Sequence, residues 1–600
     1  MFLLSQTAKG NNFCFFISCV IMLSRNNQKM TYLEIECYMK KLLVRLVYAL
    51  ASVISLSLLC LNLYSFAVWL MERKVSFSNI AGFTALFCLF AFLIYFLIST
   101  RFVMLIKSGA LFIISLFLLS FASKALFVVG IDTPQYSDYV LLLDATCDIA
   151  EGTRNYLQLP YFQLWAYQTG FPAFMSIFSK LFGGNVTALL FINCMFAAGT
   201  NVLVYCIVRL RTGEKPARVA AVIYLVFPYV FGMSSIYTNQ HIATFLFYLG
   251  TYVAFRFGKS WIIAPLTAGF LIAFGNSIRP EGILFVASVA VYVLFEILKG
   301  GSDPGSMAGK LEKGKKLKRI ILKAEGNSGT GSQVPPYAKG EAENNYLSNA
   351  SGKIDVNEIK KSNVNRVKLV RGIVVIASYL LFINIASRIF ISSGLNPNGL
   401  TNGFPLYKFA VGLNHDSNGC YSKDDVRTLL SIDDESERDA EALRLIRERL
   451  SVPVTSFIRL FKNKASVVWT AKWRYPAFNG INNDSAFDLH LLRISVGRLN
   501  TAMTFFDYLI YLLCFLATSV SSLLTAVGKR DAASPFFMIL FVSAFAVYLL
   551  IEVQYRYAYV AMPALLIWAA EGIGASFGGL FNGKPGSIKA DDDLRPDTNL

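Results

Sequence analysis

The sequence predicts an all-α fold, a polytopic membrane helical bundle of about twelve spans with both termini inside and amphipathic helices in its external loops. Three observations predict it. The 600 residues are 55% hydrophobic and only 16% charged, with a mean hydropathy of +0.51, a balance foreign to soluble proteins. The apolar residues come in runs of about 18–25, the length at which a helix crosses hydrocarbon. Strands of a membrane barrel would alternate apolar and polar positions, and these runs do not. Lastly, the basic residues gather on alternate connections between the runs, as cytoplasmic loops do.

The first stretch, "NNFCFFISCVIML" (Asn11–Leu23), is apolar but short for a span. It reads as signal-like or as sequence upstream of a start at Met30 or Met39, and it stays outside the fold. Residues 1–44 form a cytoplasmic N-terminal segment. The spans fall roughly at 45–70, 81–99, 106–129, 184–208, 218–235, 240–256, 260–276, 282–298, 370–391, 503–527, 534–551 and 557–576. Residues 45–298 thus make an N-terminal membrane bundle that includes an external loop at 130–183. Within that loop, "PYFQLWAYQTGFPAFMSIFSKLFG" (160–183) is aromatic and broken by Gly170 and Pro172, which suits an interfacial or re-entrant helix pair. Residues 299–369 are a cytoplasmic loop, basic in "KLEKGKKLKR" and then Gly/Ser/Asn-rich, the composition of a solvated linker. A single span at 370–391 leads to an external loop domain at 392–502. The C-terminal spans occupy 503–576, and 577–600 is a cytoplasmic tail.

With the N-terminus inside, Lys40, Lys41, Arg45, Arg101, Lys107, Arg209, Arg211, Lys215, Arg218, Arg256, Lys259, Lys529 and Arg530 all fall on the cytoplasmic side. Arg73 and Lys74 are the exception. The net charge of +18 therefore points to a membrane and not to nucleic acid. The ten cysteines show no CxxC pair and no metal-ligand spacing. Most sit in apolar runs as small apolar residues, while Cys147 and Cys420 share the external side and could pair.

The same parity collects the unusual polar clusters on one face. They are the acidic stretch 130–152, "SSIYTNQH" (Ser234–His241), "GNSIRPEG" (Gly275–Gly282), the loop 392–502 and "EVQYRY" (Glu552–Tyr557). Polar residues serving structure alone have no reason to segregate so, whereas an active site at the outer leaflet would.

In the acidic stretch, a helix over 138–151 with steps of about 100° puts Asp144, Asp148 and Glu151 on one stripe, an ordinary solvated face. Asp138 lies apart from them and opens the helix. A carboxylate there can cap free N–H groups. It can also sit partly desolvated at the lipid boundary, suited to proton abstraction.

"YSDYVLLLDATCDIAEG" followed by "YFQLWAYQTGFPAFMSIFSKLFG" resembles the first external loop of membrane glycosyltransferases of the GT-C class. The likeness is to the branch of protein O-mannosyltransferases and the bacterial lipid A aminoarabinose transferase. "NSIRPEGILFVASVAVYVLF" and "EVQYRYAYVAMPALLIWAA" resemble that family's later and closing spans. "VGLNHDSNGCYSKDD" resembles an external loop of bacterial, Gram-positive-like members. The likeness covers about 105–575, with two departures: two extra N-terminal spans, and the absence of the acidic pair of the aminoarabinose-transferase type. Ser137-Asp138-Tyr139 stands in its place, which leaves Asp132 as a rival to Asp138.

The resemblance implies a hexosyltransferase-type enzyme of the bacterial plasma membrane. It would take a sugar from a polyprenyl-phosphate donor and pass it to a cell-surface glycan, lipid or protein, with no cofactor. A base must accept the proton of the attacking hydroxyl, and Asp138 or Asp132 is the candidate. A cation must receive the departing phosphate. Arg279 and Arg556 suit that role because they stay charged and bond oxygens bidentately, although Arg279 could instead pair with Glu281 and Arg556 with Glu552. Gln240, His241, Asn414 and Asn418 are candidate contacts to sugar hydroxyls, or else caps and a plain turn. Nothing has the spacing of a metal site or a Ser–His–Asp triad, and the chain holds only three histidines.

Two rival readings remain open. A transporter or flippase of lipid-linked saccharides fits the span count, but it should carry mid-span polar residues and an internal repeat. A surface-polysaccharide polymerase or ligase should carry an external loop rich in Arg and His. The loop 392–502 offers Arg427, Arg438, Arg444, Arg447 and His415. In that loop Asp424–Pro453 reads as an amphipathic helix pair, and "VTSFIRLFKNKASVVWT" as a helix on the membrane surface, together a lid or acceptor platform.

Overall fold

A computed structural model describes residues 32–72, 108–257, 262–299, 366–471, 475–488, 493–530 and 535–576, with isolated positions at 85, 89, 92 and 106. The expected span at 81–99, the stretch 11–23, most of the loop 299–369 and the tail lie outside the described residues. The chain divides into two units. One takes Met1–Val47 and Leu294–Lys368, where Lys368 Nζ meets Glu296 Oε2 at 2.9 Å. The other takes Tyr48–Val293 and Leu369–Leu600 and holds every residue of the polar cluster and of the helical layer 405–469 described below.

The fold is an all-α polytopic membrane protein. Five described helices are long and apolar enough to cross a membrane: Tyr38–Glu72, Gly109–Ile131, Val186–Thr212, Arg366–Ser392 and Val496–Ala526. A sixth is a bent pair, Glu214–Leu225 and Pro228–Ser234, at 46°. The break has a local cause. Pro228 has no N–H to donate and forces Phe227 into extended backbone, φ −68° and ψ 108°.

The other expected spans are helices too, but shorter: Gln240–Arg256, Ile263–Ile278, Gly282–Lys299, Phe536–Leu550 and Met562–Ser576. At about 1.5 Å per residue the 15-residue helix Phe536–Leu550 falls short of the hydrocarbon thickness. The backbone is completed by irregular ends, such as the 3₁₀ turn Tyr555–Ala561 ahead of Met562. Such ends are tolerated at membrane depth where protein covers them, and Ala558, Tyr559, Val560 and Ala561 are all buried.

The segment 160–183 does break as its sequence suggests, into Pro160–Leu164, a 3₁₀ turn Ala166–Thr169 and Gly170–Phe182. The last of these packs so closely on Ile263–Ile278 that a Cβ on Gly170 would sit 1.6 Å from Ser277 O. Glycine is required there.

The loop after Ser392 is a small helical layer of Pro405–Gly412, Lys423–Leu430, Glu435–Leu450 and Val454–Trp469. Phe404, Tyr407, Ala410, Val411, Leu429 and Ala442 form its core. Two three-residue strands, Ala486–Asp488 and Arg493–Ser495, pair antiparallel ahead of the long helix Val496–Ala526. The layer is tied to the bundle through backbone: Glu552 N donates to Lys408 O at 2.7 Å and Val553 N to Gly419 O at 2.9 Å. Cys147 and Cys420 are both free thiols, so the disulfide that their shared side allowed is not formed.

Candidate functional site

The polar clusters that lie far apart in sequence meet at one end of the bundle. Thr133 Oγ1 bonds Ser235 Oγ at 2.7 Å. Gln135 Oε1 accepts from Tyr237 N at 2.6 Å, which fixes the start of the first loop to the turn 234–238. Asn239 Nδ2 donates to Gln168 Oε1 and to Ile278 O, both at 3.3 Å. Gln240 Nε2 reaches Arg556 O at 3.4 Å. Four chain segments are thus stitched together by side chains before any charged group is considered.

The charges at this end come as three cation–carboxylate pairs. Asp138 pairs with Arg556 through Oδ2 and Nη2. Arg279 Nη2 meets Glu281 Oε1 at 2.7 Å, and its Nη1 donates to Asn239 Oδ1 at 3.0 Å. Lys408 pairs with Glu552, whose Oε1 also accepts from Gln554 Nε2 at 3.1 Å. Tyr557 sits among the three cations. Arg279 lies over its ring at 5.5 Å, Lys408 donates to its hydroxyl at 3.3 Å, and Arg556 is within electrostatic reach.

Several expectations change in this light. Arg556 does not pair with Glu552, because Lys408 holds that carboxylate and Asp138 approaches from the first loop. Arg279 does pair with Glu281. Asp138 opens the helix Asp138–Glu151 as expected, but the cap residue, Ser137, stands at φ 52° with no side-chain cap bond, and the Asp138 carboxylate is turned to Arg556. Asp148 is not a merely solvated acid. Its carboxylate accepts from Tyr156 N at 2.9 Å, Thr153 Oγ1 at 2.9 Å and Asn155 Nδ2 at 3.2 Å, which caps the 3₁₀ turn Asn155–Gln158. Asp144 is raised from the ordinary carboxylate value by burial and then by Asp148.

The remaining candidates divide. Asp132 ends the helix Gly109–Ile131 in left-handed backbone, φ 48°, and is exposed. His241 is buried with both ring nitrogens engaged, by Met233 O at 3.0 Å and Tyr559 Oη at 2.6 Å. Asn414 donates to Asp425 Oδ2 at 2.9 Å and accepts from Asp416 N and Ser417 N. Asn418, at φ 55°, accepts from Asn463 Nδ2 at 2.6 Å. The "GLNHDSNG" stretch is therefore a structured turn of the helical layer 405–469.

Among the described residues, a set of buried polar atoms near these pairs has no hydrogen-bond partner: Arg556 Nε, Arg279 Nε, Glu281 Oε2, Gln240 Oε1, Tyr161 Oη and Trp165 Nε1. Tyr161 lies within electrostatic reach of Asp138, Arg556 and Lys408. Burial holds its phenol well above the usual value, with Asp138 adding and Arg556 opposing, so it stays a neutral hydroxyl donor. Buried polar groups in proteins are nearly always satisfied. A cluster that is not satisfied, beside paired charges, is the character of a ligand site.

Sequence reasoning missed four residues here. Lys408, Tyr161 and Trp165 lie in stretches that read as amphipathic or aromatic. Asp507 is the fourth, an acid inside the apolar run Val496–Ala526. Its carboxylate accepts from Tyr229 N at 3.0 Å and from the Tyr475 hydroxyl. A lone acid within a span is a signal that can be read, and here it caps the helix that starts at Pro228.

A family model described as dolichyl-phosphate-mannose-protein mannosyltransferase matches residues 169–300. That stretch holds Asn239, Gln240, His241, Arg279 and Glu281, but neither Asp138 nor Arg556. No curated protein sequence matches the chain. Among solved structures, the chain resembles the crystal structure of the Archaeoglobus fulgidus oligosaccharyltransferase in its apo form. The identity is 12% and the TM-score 0.35, over 77% of this chain and 50% of that one. This chain thus spans half the length of that protein, and a likeness so distant carries no argument. The mannosyltransferase match and the apolar helices support a membrane glycosyltransferase of the GT-C type.

Proposed function

We propose that the protein transfers a sugar from a polyprenyl-phosphate donor to an acceptor hydroxyl of a cell-surface glycan, lipid or protein, at the outer face of a bacterial plasma membrane. One observation carries the reading: three cations, three carboxylates and a set of unpartnered buried donors gather where five distant polar segments meet. Arg556, Arg279 and Lys408 supply positive charge for the phosphate. Both arginines keep an idle Nε–H that suits an oxyanion. Tyr161 Oη and Trp165 Nε1 can donate to sugar hydroxyls or to phosphate oxygens.

In the reaction the acceptor oxygen forms a bond to the anomeric carbon while the bond from that carbon to the phosphate oxygen breaks. The hydroxyl proton passes to the Asp138 carboxylate, and polyprenyl phosphate leaves with the bonding electrons. Its new charge is met by the cations in a partly dry setting, where such contacts are strongest. The lid helices 405–469 lie beside the site through Lys408 and exclude water from it. The rival ligase reading loses support in the same region, since Arg444 is held by Glu441 and Glu448 on an exposed helix face.

The test uses purified protein in detergent with a radiolabelled polyprenyl-phosphate sugar and no ion gradient. Acceptor-dependent release of polyprenyl phosphate is the expected result. Intact donor after prolonged incubation, with movement of the lipid across vesicles, would assign the protein to transport.

A further inference from the structure

Asp138 is bonded to Arg556, the same side chain that the proposed reaction assigns to the donor phosphate, and a carboxylate so engaged is not free to face the acceptor hydroxyl. Both tasks fall on one guanidinium.

The local geometry resolves the conflict. Arg556 carries five N–H donors in a planar fork. Asp138 occupies an Nη2 position, while Nε is buried without a partner. Arg556 is 13% exposed and Asp138 30%, so the cation is fixed inside and the acid stands at the open side. Its backbone is anchored by Gln240, and its guanidinium lies over the Tyr139 ring at 5.2 Å. The cap residue Ser137 makes no side-chain bond to the helix start, and the Asp138 carboxylate is turned to Arg556 instead. The neutral Tyr161 hydroxyl, buried and unpartnered, is within electrostatic reach of both groups.

Resting on the transferase reading, we propose that the donor phosphate displaces Asp138 from Arg556, so that the carboxylate is released as a base only when the donor is bound. The phosphate first meets the idle Nε–H edge and then takes the Nη2 position. Asp138 rotates toward the open side. The freed carboxylate then faces the acceptor side at the moment a hydroxyl must be deprotonated. Without donor the carboxylate stays paired with Arg556.

The experiment measures binding of a short-chain polyprenyl phosphate to the purified full chain. In Asp138→Asn the competitor for Arg556 is gone, so the phosphate should bind more tightly, by roughly tenfold, in the ordinary range of coupling between two ligands of one group. In an Arg556→Gln background Asp138→Asn should give a much smaller gain, limited to the removal of like-charge repulsion, so the difference between the two backgrounds reads the competition for Arg556. Equal or weaker binding by Asp138→Asn overturns the displacement while leaving the transferase reading intact. Failure of the wild-type protein to bind polyprenyl phosphate at all overturns both.

Discussion

Two carboxylate–arginine pairs in this molecule look alike on a list of distances and differ in every other respect. In the lid, Asp425 and Arg449 form a two-pronged pair: Nη2 to Oδ1 at 2.6 Å and Nη1 to Oδ2 at 3.1 Å. Arg449 Nη1 also donates to Ala410 O at 2.5 Å, and Asn414 donates to Asp425. At the bundle end, Asp138 and Arg556 share one contact, with an unpartnered Nε on the arginine and the unpartnered Tyr161 phenol within electrostatic reach. A fully satisfied buried pair fixes a shape, and losing one member is costly because a charge is stranded. A pair with donors to spare is held ready for a third group. The first belongs to scaffold, the second to chemistry.

The largest expected effect separates the pairs directly. Asp138→Asn removes the base and should lower the transfer rate on the order of 10²–10⁴-fold, while the thermal midpoint in detergent changes little. Asp425→Asn should do the reverse, unfolding the lid at lower temperature and reducing activity only in proportion to the folded fraction. Parallel losses of stability in both variants would erase the distinction. An inactive Asp132→Asn beside an active Asp138→Asn would move the base to Asp132.

A smaller effect should follow from keeping charge and losing the planar fork. Arg556→Lys should reduce donor turnover roughly tenfold to a hundredfold, the scale of one charge-assisted hydrogen bond, with normal extraction and monodispersity. Arg449→Lys should leave donor turnover alone and lower the unfolding temperature. Swapped outcomes would mean that the idle Nε–H of Arg556 has no ligand to meet.

Much of this contrast was legible in the sequence, and the part that was not has a physical reason. Asp138 and Arg556 were each singled out, one from its isolated helix position and one from a costly boundary charge. Their mutual pairing could not be read, because 418 residues separate them and a nearer partner, Glu552, was available to Arg556. Lys408 was invisible for the complementary reason: a single lysine in an amphipathic stretch signals only solvent until Glu552 is placed beside it. The apolar runs foretold helices at every described span, but not that Pro228 would bend one or that the last would begin as the 3₁₀ turn Tyr555–Ala561. Hydropathy reports what a helix is made of and not how neighbouring protein covers its irregular ends. Asp148 was misjudged because its partners lie in a 3₁₀ turn that has no periodic signature.

A third test perturbs one region without touching a charge. Gly170→Ala places a Cβ against Ser277 O, with no flexible atom to yield, and overpacking of this kind costs about 1–3 kcal/mol. The shift should pull the first loop from Asn239 and Arg279 and lower activity beyond the loss of stability. The lid should be unaffected, as read by unchanged proteolytic protection at Glu435–Leu450. Equal loss of protection in the lid would show that the two regions fold as one.

The last effect belongs to the helical layer 405–469 alone, touches no group of the site, and concerns Lys464. Its Nζ donates to Gly412 O and Ile551 O, both at 2.7 Å, which ties the lid helix Val454–Trp469 to the backbone beside Glu552. Burial lowers its pKa from the ordinary lysine value to about 7, against the pull of Cys420 and Glu552. The neutral amine has two N–H groups, matched to the two carbonyls, so deprotonation breaks neither bond. An unfolded lysine keeps its proton to about 10.4. Between about 7 and 10 the unfolded chain therefore binds a proton that the folded chain does not, and stability should rise with pH across that window. Below pH 7 the cost of a buried charge is fully present. Lys464→Met removes the titrating group and leaves two carbonyls unmet, at about 1–3 kcal/mol. Its thermal midpoint should be lower than wild type and should lack the rise from pH 7 to 10. Parallel pH curves for the two proteins would show that Lys464 stays charged in the fold, and the lid would then carry a buried cation as the bundle end does.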